Sequence, residues 1–133
     1  KILIVTAPYY KDIVTQMYQR ALDVLSYHNE KHHDKIKYKN INVAGAFEIP
    51  VTISRNIKKY DGFIALGCVI KGETPHFDFI SEATIDGIMK ISIESKKPIG
   101  NGVITCLNMI QAKARRQKGR EAAEAIISVL FHK

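Results

Sequence analysis

The sequence predicts an α/β protein, a three-layer αβα sandwich built on a four-stranded parallel sheet. Three observations lead there. Short apolar runs at residues 1–6, 63–70 and 99–106, and an alternating run at 36–43, are separated by longer stretches in which apolar residues recur every three or four positions. The elements therefore alternate strand and helix four times, and right-handed crossovers between such strands put helices on both faces of one sheet. The run 63–70, FIALGCVI, is apolar throughout, as a central strand covered on both faces must be.

Each element has a local reason. Residues 1–6 form a β-branched and leucine run that stops at Ala7-Pro8, a strand entering a loop. Over 12–27, Ile13, Val14, Met17, Ala21, Leu22, Val24 and Leu25 line one face of a helix, and 29–35 read as a polar loop. The alternation in 36–43 suits a strand near a sheet edge, and Gly45 breaks it. The spacing predicts a second helix over 46–57 that starts near Glu48, because Pro50 is tolerated only in a first turn. Thr74 followed by Pro75 resembles an N-cap with proline at the first helical position, opening a helix over about 76–95. Residues 108–131 read as helix, interrupted near Lys118-Gly119.

At 133 residues the chain fits one domain, 1–133, with no internal repeat and no dividing linker. Its 46% hydrophobic and 25% charged residues are ordinary globular usage. The net charge of +7 is compatible with nucleic acid, an acidic membrane surface or phosphorylated metabolites. The positive residues are dispersed over 31–39, Lys96-Lys97 and 113–120, most reading as solvated faces, and no nucleic-acid motif accompanies them, so no nucleic-acid partner is expected. Cys68 and Cys106 lie far apart in no metal or redox spacing, each within an apolar run, which suits a reduced cytoplasmic setting. No stretch approaches the roughly 20 apolar residues that span a bilayer. The N-terminal run is too short for a signal-peptide core, and the missing initiator Met leaves a trimmed leader open.

In such sheets ligands bind beyond the carboxyl ends of the strands, which directs attention to 7–10, 44–48, 71–78 and the region after Cys106. Gly72-Glu73-Thr74-Pro75-His76 stands first. Gly72 permits an unusual turn, and free N–H groups at the following helix start could hold an anion; an ordinary capped strand-to-helix turn explains the same residues. His76 is the best acid/base candidate, since a neutral imidazole there exchanges protons near physiological pH, although a structural histidine is the commoner case. His32-His33 lacks a third ligand at metal spacing, so no metal site is expected. Glu48 could accept hydrogen bonds from a ligand or simply complement a helix dipole. Tyr9 and Tyr10 could stack on a flat ring or cap the core. Arg115 and Arg116, placed on a helix beyond the last strand, offer forks suited to phosphate.

These signals occur in a familiar order. Gly45-Ala46-Phe47-Glu48-Ile49-Pro50, then Gly67-Cys68-Val69-Ile70-Lys71-Gly72-Glu73-Thr74-Pro75-His76-Phe77-Asp78, then 98–105 with Gly102-Val103-Ile104-Thr105, together resemble the lumazine synthase family across nearly the whole chain. The resemblance implies a flavodoxin-like sheet and condensation of 5-amino-6-(D-ribitylamino)uracil with 3,4-dihydroxy-2-butanone 4-phosphate to 6,7-dimethyl-8-ribityllumazine, a step of riboflavin biosynthesis that needs no metal or organic cofactor. It implies that Tyr9 stacks on the pyrimidine, that Ala46, Phe47 and Glu48 meet the same substrate, and that Val69 and Ile70 bind the uracil edge through backbone groups. Gly72, Glu73 and Thr74 would hold phosphate, with His76 shuttling protons. Arg115 matches the family's phosphate-binding arginine and Lys118 a lysine of the site rim.

The sequence also departs from the family pattern. Asn101 stands where an aromatic residue commonly reaches the adjacent subunit's site, and Ala114 where an acidic residue precedes the arginine. The connection from Arg115 to Lys118 is short, so either Arg115 or Arg116 is the phosphate ligand. The family forms homopentamers, some assembled into 60-subunit shells, and the short connection favours an isolated pentamer; riboflavin synthase is an expected partner.

Overall fold

The computed structural model describes residues 1–72 and 76–132. Strands β1 (Ile2–Ala7), β2 (Tyr38–Asn42), β3 (Gly62–Ile70) and β4 (Ile99–Cys106) form one sheet in the order β2-β1-β3-β4. All three pairings are parallel. This is the flavodoxin-like order, in which the chain reverses direction across the sheet after β2. Helices α1 (Lys11–His32), α2 (Ile49–Arg55), α3 (His76–Ser95), α4 (Met109–Ala114) and α5 (Lys118–Leu130) complete the layers, with a single 3₁₀ turn, Ala46–Glu48, leading into α2.

Alternation along the strands divides the core in two. Ile2, Ile4, Ile64, Leu66, Cys68, Ile104 and Cys106 face α1, α4 and α5, where Ile13, Met17, Leu25, Ala112, Ala123 and Ile126 meet them. Leu3, Val5, Phe63, Ala65 and Val103 face the other way, against Ile49 and Ile53 of α2 and Ile88 of α3. Each fully buried aliphatic side chain of this kind contributes roughly 1.5–3 kcal/mol. β1 and β3 are buried along almost their whole length, as strands covered on both faces must be, whereas β2 is largely exposed at the sheet edge.

β2 and α2 are shorter than the sequence reading of 36–43 and 46–57, and two further boundaries differ more. α1 runs on through His32, into what reads locally as a polar loop, and ends at His33 in the left-handed conformation with φ 56°. The extra turns are held from outside the helix. The Asn29 side chain accepts from the Ile36 N–H at 2.8 Å and donates to the Ile36 carbonyl at 3.2 Å, and His28 Nε2 meets Asp34 Oδ2 at 2.8 Å. The break in the last helical stretch falls at Arg115, Arg116 and Gln117 rather than at Lys118-Gly119, which lie in the first turn of α5. Arg116 secures that break: its Nε donates to the Lys113 carbonyl at 2.7 Å, and its Nη1 to Gln16 Oε1 on α1 at 2.5 Å.

Gly119 has a different task from ending a helix. A Cβ on it would lie 2.2 Å from the Met17 carbonyl oxygen, so α5 and α1 touch through backbone. Gly100 does the same for α5 and β4, where a Cβ would fall 2.2 Å from the Ala122 carbonyl oxygen.

Cys68 and Cys106 are buried free thiols. Burial pushes the Cys68 thiol up to about 12, with the neighbouring Cys106 adding to the rise. Among the described residues no group of three or more His, Cys, Asp or Glu could hold a metal ion, and no described helix is long and apolar enough to cross a membrane.

Two measurements test this packing. Gly119→Ala gains about 1 kcal/mol of helix propensity but forces a methyl group onto a carbonyl, an overpacking cost of about 1–3 kcal/mol with no flexible neighbour to yield. Net destabilisation is expected in thermal unfolding, and an unchanged or higher Tm would contradict the close approach. A thiol reagent at about pH 8 is expected to label neither cysteine in the folded protein and both after unfolding; rapid native labelling of Cys68 would contradict its burial.

Candidate functional site

Three strand ends converge at the carboxyl edge of the sheet because the residues there are small. A Cβ on Gly67 would sit 3.6 Å from the Ala7 Cβ and 3.9 Å from the Ala46 Cβ, so the segment after β2 lies directly over β1 and β3. Beyond β1, Tyr9 is 77% exposed and packs edge-on against Tyr10, their ring centroids 5.0 Å apart. Tyr10 is half-buried, and its carbonyl accepts from the Ile13 and Val14 N–H groups to start α1. Burial raises the Tyr10 hydroxyl above its ordinary value of 10.0, with smaller contributions from Tyr9 and Cys68.

In the 3₁₀ turn Ala46 is buried, Phe47 is 56% exposed and Glu48 is half-buried. The Glu48 carbonyl accepts from Thr52 Oγ1 at 2.8 Å, which ties the turn to α2, while its carboxylate lies over Gly45, where a Cβ would be 3.2 Å from Oε1. Val69 and Ile70 are half-buried at the end of β3, and the Lys71 N–H extends the pairing by donating to the Cys106 carbonyl at 2.8 Å. Gly72 is exposed, with no atom within 4 Å of a Cβ placed on it, and its φ is not positive. Glu73, Thr74 and Pro75 lie outside the described residues, and with them the expected cap and part of the expected anion cradle. His76 is the first residue of α3 and is exposed at the sheet's carboxyl end, with Asp78 in the same first turn.

The remaining residues form a second group at the open edge of β4. Asn101, Arg115 and Lys118 line one cavity of about 480 Å³ together with Ile85, Val103 and Glu121. Tyr9, Ala46, Phe47, Glu48, Val69, Ile70 and His76 are absent from its lining. Within one chain the structure brings together the residues after β1, β2 and β3, and separately those on and after β4. Asn101 Oδ1 accepts from the Val103 N–H at 3.0 Å, leaving the amide NH₂ as its free donor. Arg115, at the C-terminal cap of α4, reaches back so that Nη1 donates to the Thr105 carbonyl at 2.8 Å, and it passes 3.9 Å from Cys106 Sγ. Arg116 is absent from this cavity.

Sequence reasoning missed Asn108, Gln111 and Glu121. Asn108 Oδ1 accepts from the Gln111 N–H at 2.9 Å, and Gln111 Oε1 accepts from the Leu107 N–H at 2.8 Å. The Asn-x-x-Gln spacing is a legible capping signal. Glu121 left no signal, since its place in the cavity depends on how α5 crosses the sheet.

The model of the family described as 6,7-dimethyl-8-ribityllumazine synthase matches residues 1–133. The chain is similar to proteins of that name from three bacteria. The Corynebacterium kroppenstedtii protein is 46% identical over 94 residues, covering 65% of this chain and 59% of that one. The Bartonella bacilliformis protein is 36% identical over 97% of this chain and 87% of its own length, and the Cutibacterium acnes protein 35% identical over 98% and 80%. With its fold, strand order and whole-length match taken together, the chain belongs to the 6,7-dimethyl-8-ribityllumazine synthase family.

Proposed function

We propose that this chain, acting as one domain, condenses 5-amino-6-(D-ribitylamino)uracil with 3,4-dihydroxy-2-butanone 4-phosphate to give 6,7-dimethyl-8-ribityllumazine, inorganic phosphate and water. The observation that carries this reading is the match of the family model over residues 1–133. The substrate supplies its own amine nucleophile. It attacks the butanone carbonyl, the carbinolamine loses water to a Schiff base, phosphate is eliminated, and the second amine closes the ring with loss of another water. No serine, cysteine or lysine nucleophile is required, which fits the inert, buried state of both cysteines.

The protein's share is orientation and proton transfer. Tyr9 and Phe47 offer exposed aromatic faces for the pyrimidine, and Glu48 offers a carboxylate to the ribityl hydroxyls. Ala46, Val69 and Ile70 present main-chain groups at the converged strand ends. Gly72, Glu73 and Thr74 precede α3 and would meet the phosphate, with His76 beside them as acid and base. For the phosphate ligand we choose Arg115 over Arg116, because Arg115 lines the cavity at β4 whereas Arg116 is spent on Lys113 and Gln16. Asn101 would offer its NH₂ to an acceptor where relatives stack an aromatic ring.

The division of these residues into two groups suits a site shared between neighbouring copies in a closed pentameric ring. Phe79, Met89 and Ile93 support the same reading, since each leaves more than half of its surface exposed on α3. A cytoplasmic location accords with the two free cysteines, and riboflavin synthase, as the consumer of the product, is the partner this activity calls for.

Lumazine formation followed by absorbance is the direct test. Turnover by the parent protein is expected, with His76→Ala losing roughly 100- to 10,000-fold in rate. Full activity in that variant would remove His76 from the chemistry, and a folded parent that binds lumazine without turnover would make the chain a ligand-binding paralogue. Sedimentation is expected at five chain masses; a stable monomer would exclude the shared site, and sixty chain masses would replace the isolated ring with a shell.

A further inference from the structure

The segment from Thr105 to Arg115 closes on itself. It leaves β4 at Cys106, turns at Leu107, and enters α4, whose six residues are too few to be stable as an isolated helix. Two side chains hold the entrance. Asn108 takes the Gln111 N–H, and Gln111 in return takes the Leu107 N–H. At the exit, Arg115 folds back onto the Thr105 carbonyl, one residue before the strand ends. Entrance and exit are thus fixed to the same strand terminus. A guanidinium carries five N–H donors, so Nη1, engaged by the Thr105 carbonyl and Cys106 Sγ, orients the fork and leaves Nε and Nη2 to meet an anion.

We propose that Asn108 and Gln111 are positioning residues for Arg115, holding α4 so that the guanidinium is presented to the phosphate of the butanone substrate. This rests on the reading of Arg115 as the phosphate ligand. Neither Asn108 nor Gln111 lines the cavity that Arg115 lines. Their effect passes through the register of α4: losing either cap bond lets the first turn unwind, and Arg115 then samples directions in which it no longer meets the phosphate. Serine at position 108 keeps an acceptor oxygen and should retain the cap, whereas alanine has none.

The experiment compares the parent with Asn108→Ala, Asn108→Ser, Gln111→Ala and Arg115→Ala. It measures kcat, KM for each substrate, inhibition by inorganic phosphate, and thermal unfolding. Asn108→Ala and Gln111→Ala are expected to raise KM for the butanone phosphate and to weaken phosphate inhibition in parallel, each roughly three- to tenfold. KM for the aminouracil should stay near the parent's and Tm should fall by only a few degrees, with Asn108→Ser restoring parental values. If the alanine variants match the parent, or raise both KM values alike, or lose Tm in step with activity, the positioning role is overturned; a strong Arg115→Ala effect on phosphate in that case leaves the phosphate-ligand reading standing. If Arg115→Ala itself leaves phosphate inhibition unchanged, the ligand reading falls and the positioning proposal with it.

Discussion

The closeness with which α5 lies on its neighbours governs what the carboxyl end of β4 can do. Its backbone reaches the sheet at Gly100 and α1 at Gly119, with Ala122, Ala123 and Ile126 filling the layer between. Helix and strand backbones approach this far only where side chains are absent or a single methyl, and an interior at crystal-like density has no slack to move them apart. The line of α5 in turn fixes Lys118 and Glu121 in its first turn, while α4 is held at its own entrance by Asn108 and Gln111. Lys118 and Glu121 of the β4 cavity are thus placed by the contacts α5 makes with α1 and β4.

At the other strand ends the same logic uses smaller distances of a different kind. Ala7, Ala46 and Gly67 meet with only methyl groups between them, which lowers the segment after β2 onto β3 and puts Phe47 and Glu48 at the surface above it. A residue larger than alanine at any of the three would press on that turn and shift Phe47 and Glu48, the side chains proposed to meet the pyrimidine substrate, relative to the main-chain groups of Val69 and Ile70. The chemistry proposed for the site depends on orientation far more than on any activated nucleophile, so small residues matter there as much as His76 does.

The strands, the edge place of 36–43 and the central place of 63–70 were legible because those signals are local, whereas the flavodoxin-like arrangement came with the family resemblance. A fully apolar octet such as 63–70 can only be an interior strand in a chain of this alternating pattern, and β4 was bounded to the residue by the same reasoning. The end of α1 was not legible, because residues 28–32 are polar and owe their helical state to Ile36 and Asp34 beyond the helix. Gly119 misled for a related reason: glycine reads as a helix breaker, while its use here is to let α5 touch Met17. For the site, local pattern singled out the loops at the strand ends but could not separate structural from functional roles for the residues in them. Motif order across the chain, rather than any single residue, pointed to the family, and the partition of the candidates into two groups appeared only once the cavity beside β4 was in view.

The open edge of β4 shows why that partition has chemical content. Pro98 and Cys106 direct their carbonyls toward β3, so by strand alternation Asn101, Val103 and Thr105 direct their main-chain groups outward. Unpaired edge groups of this kind invite another strand. Here the Val103 N–H is taken by Asn101 Oδ1, and the Thr105 carbonyl by Arg115. Two of these outward groups are thus taken by Asn101 and Arg115, side chains that also line the cavity. What β4 offers a neighbour is therefore a side-chain amide and a guanidinium, in a cavity that the Glu121 carboxylate also lines, in place of two bare main-chain groups.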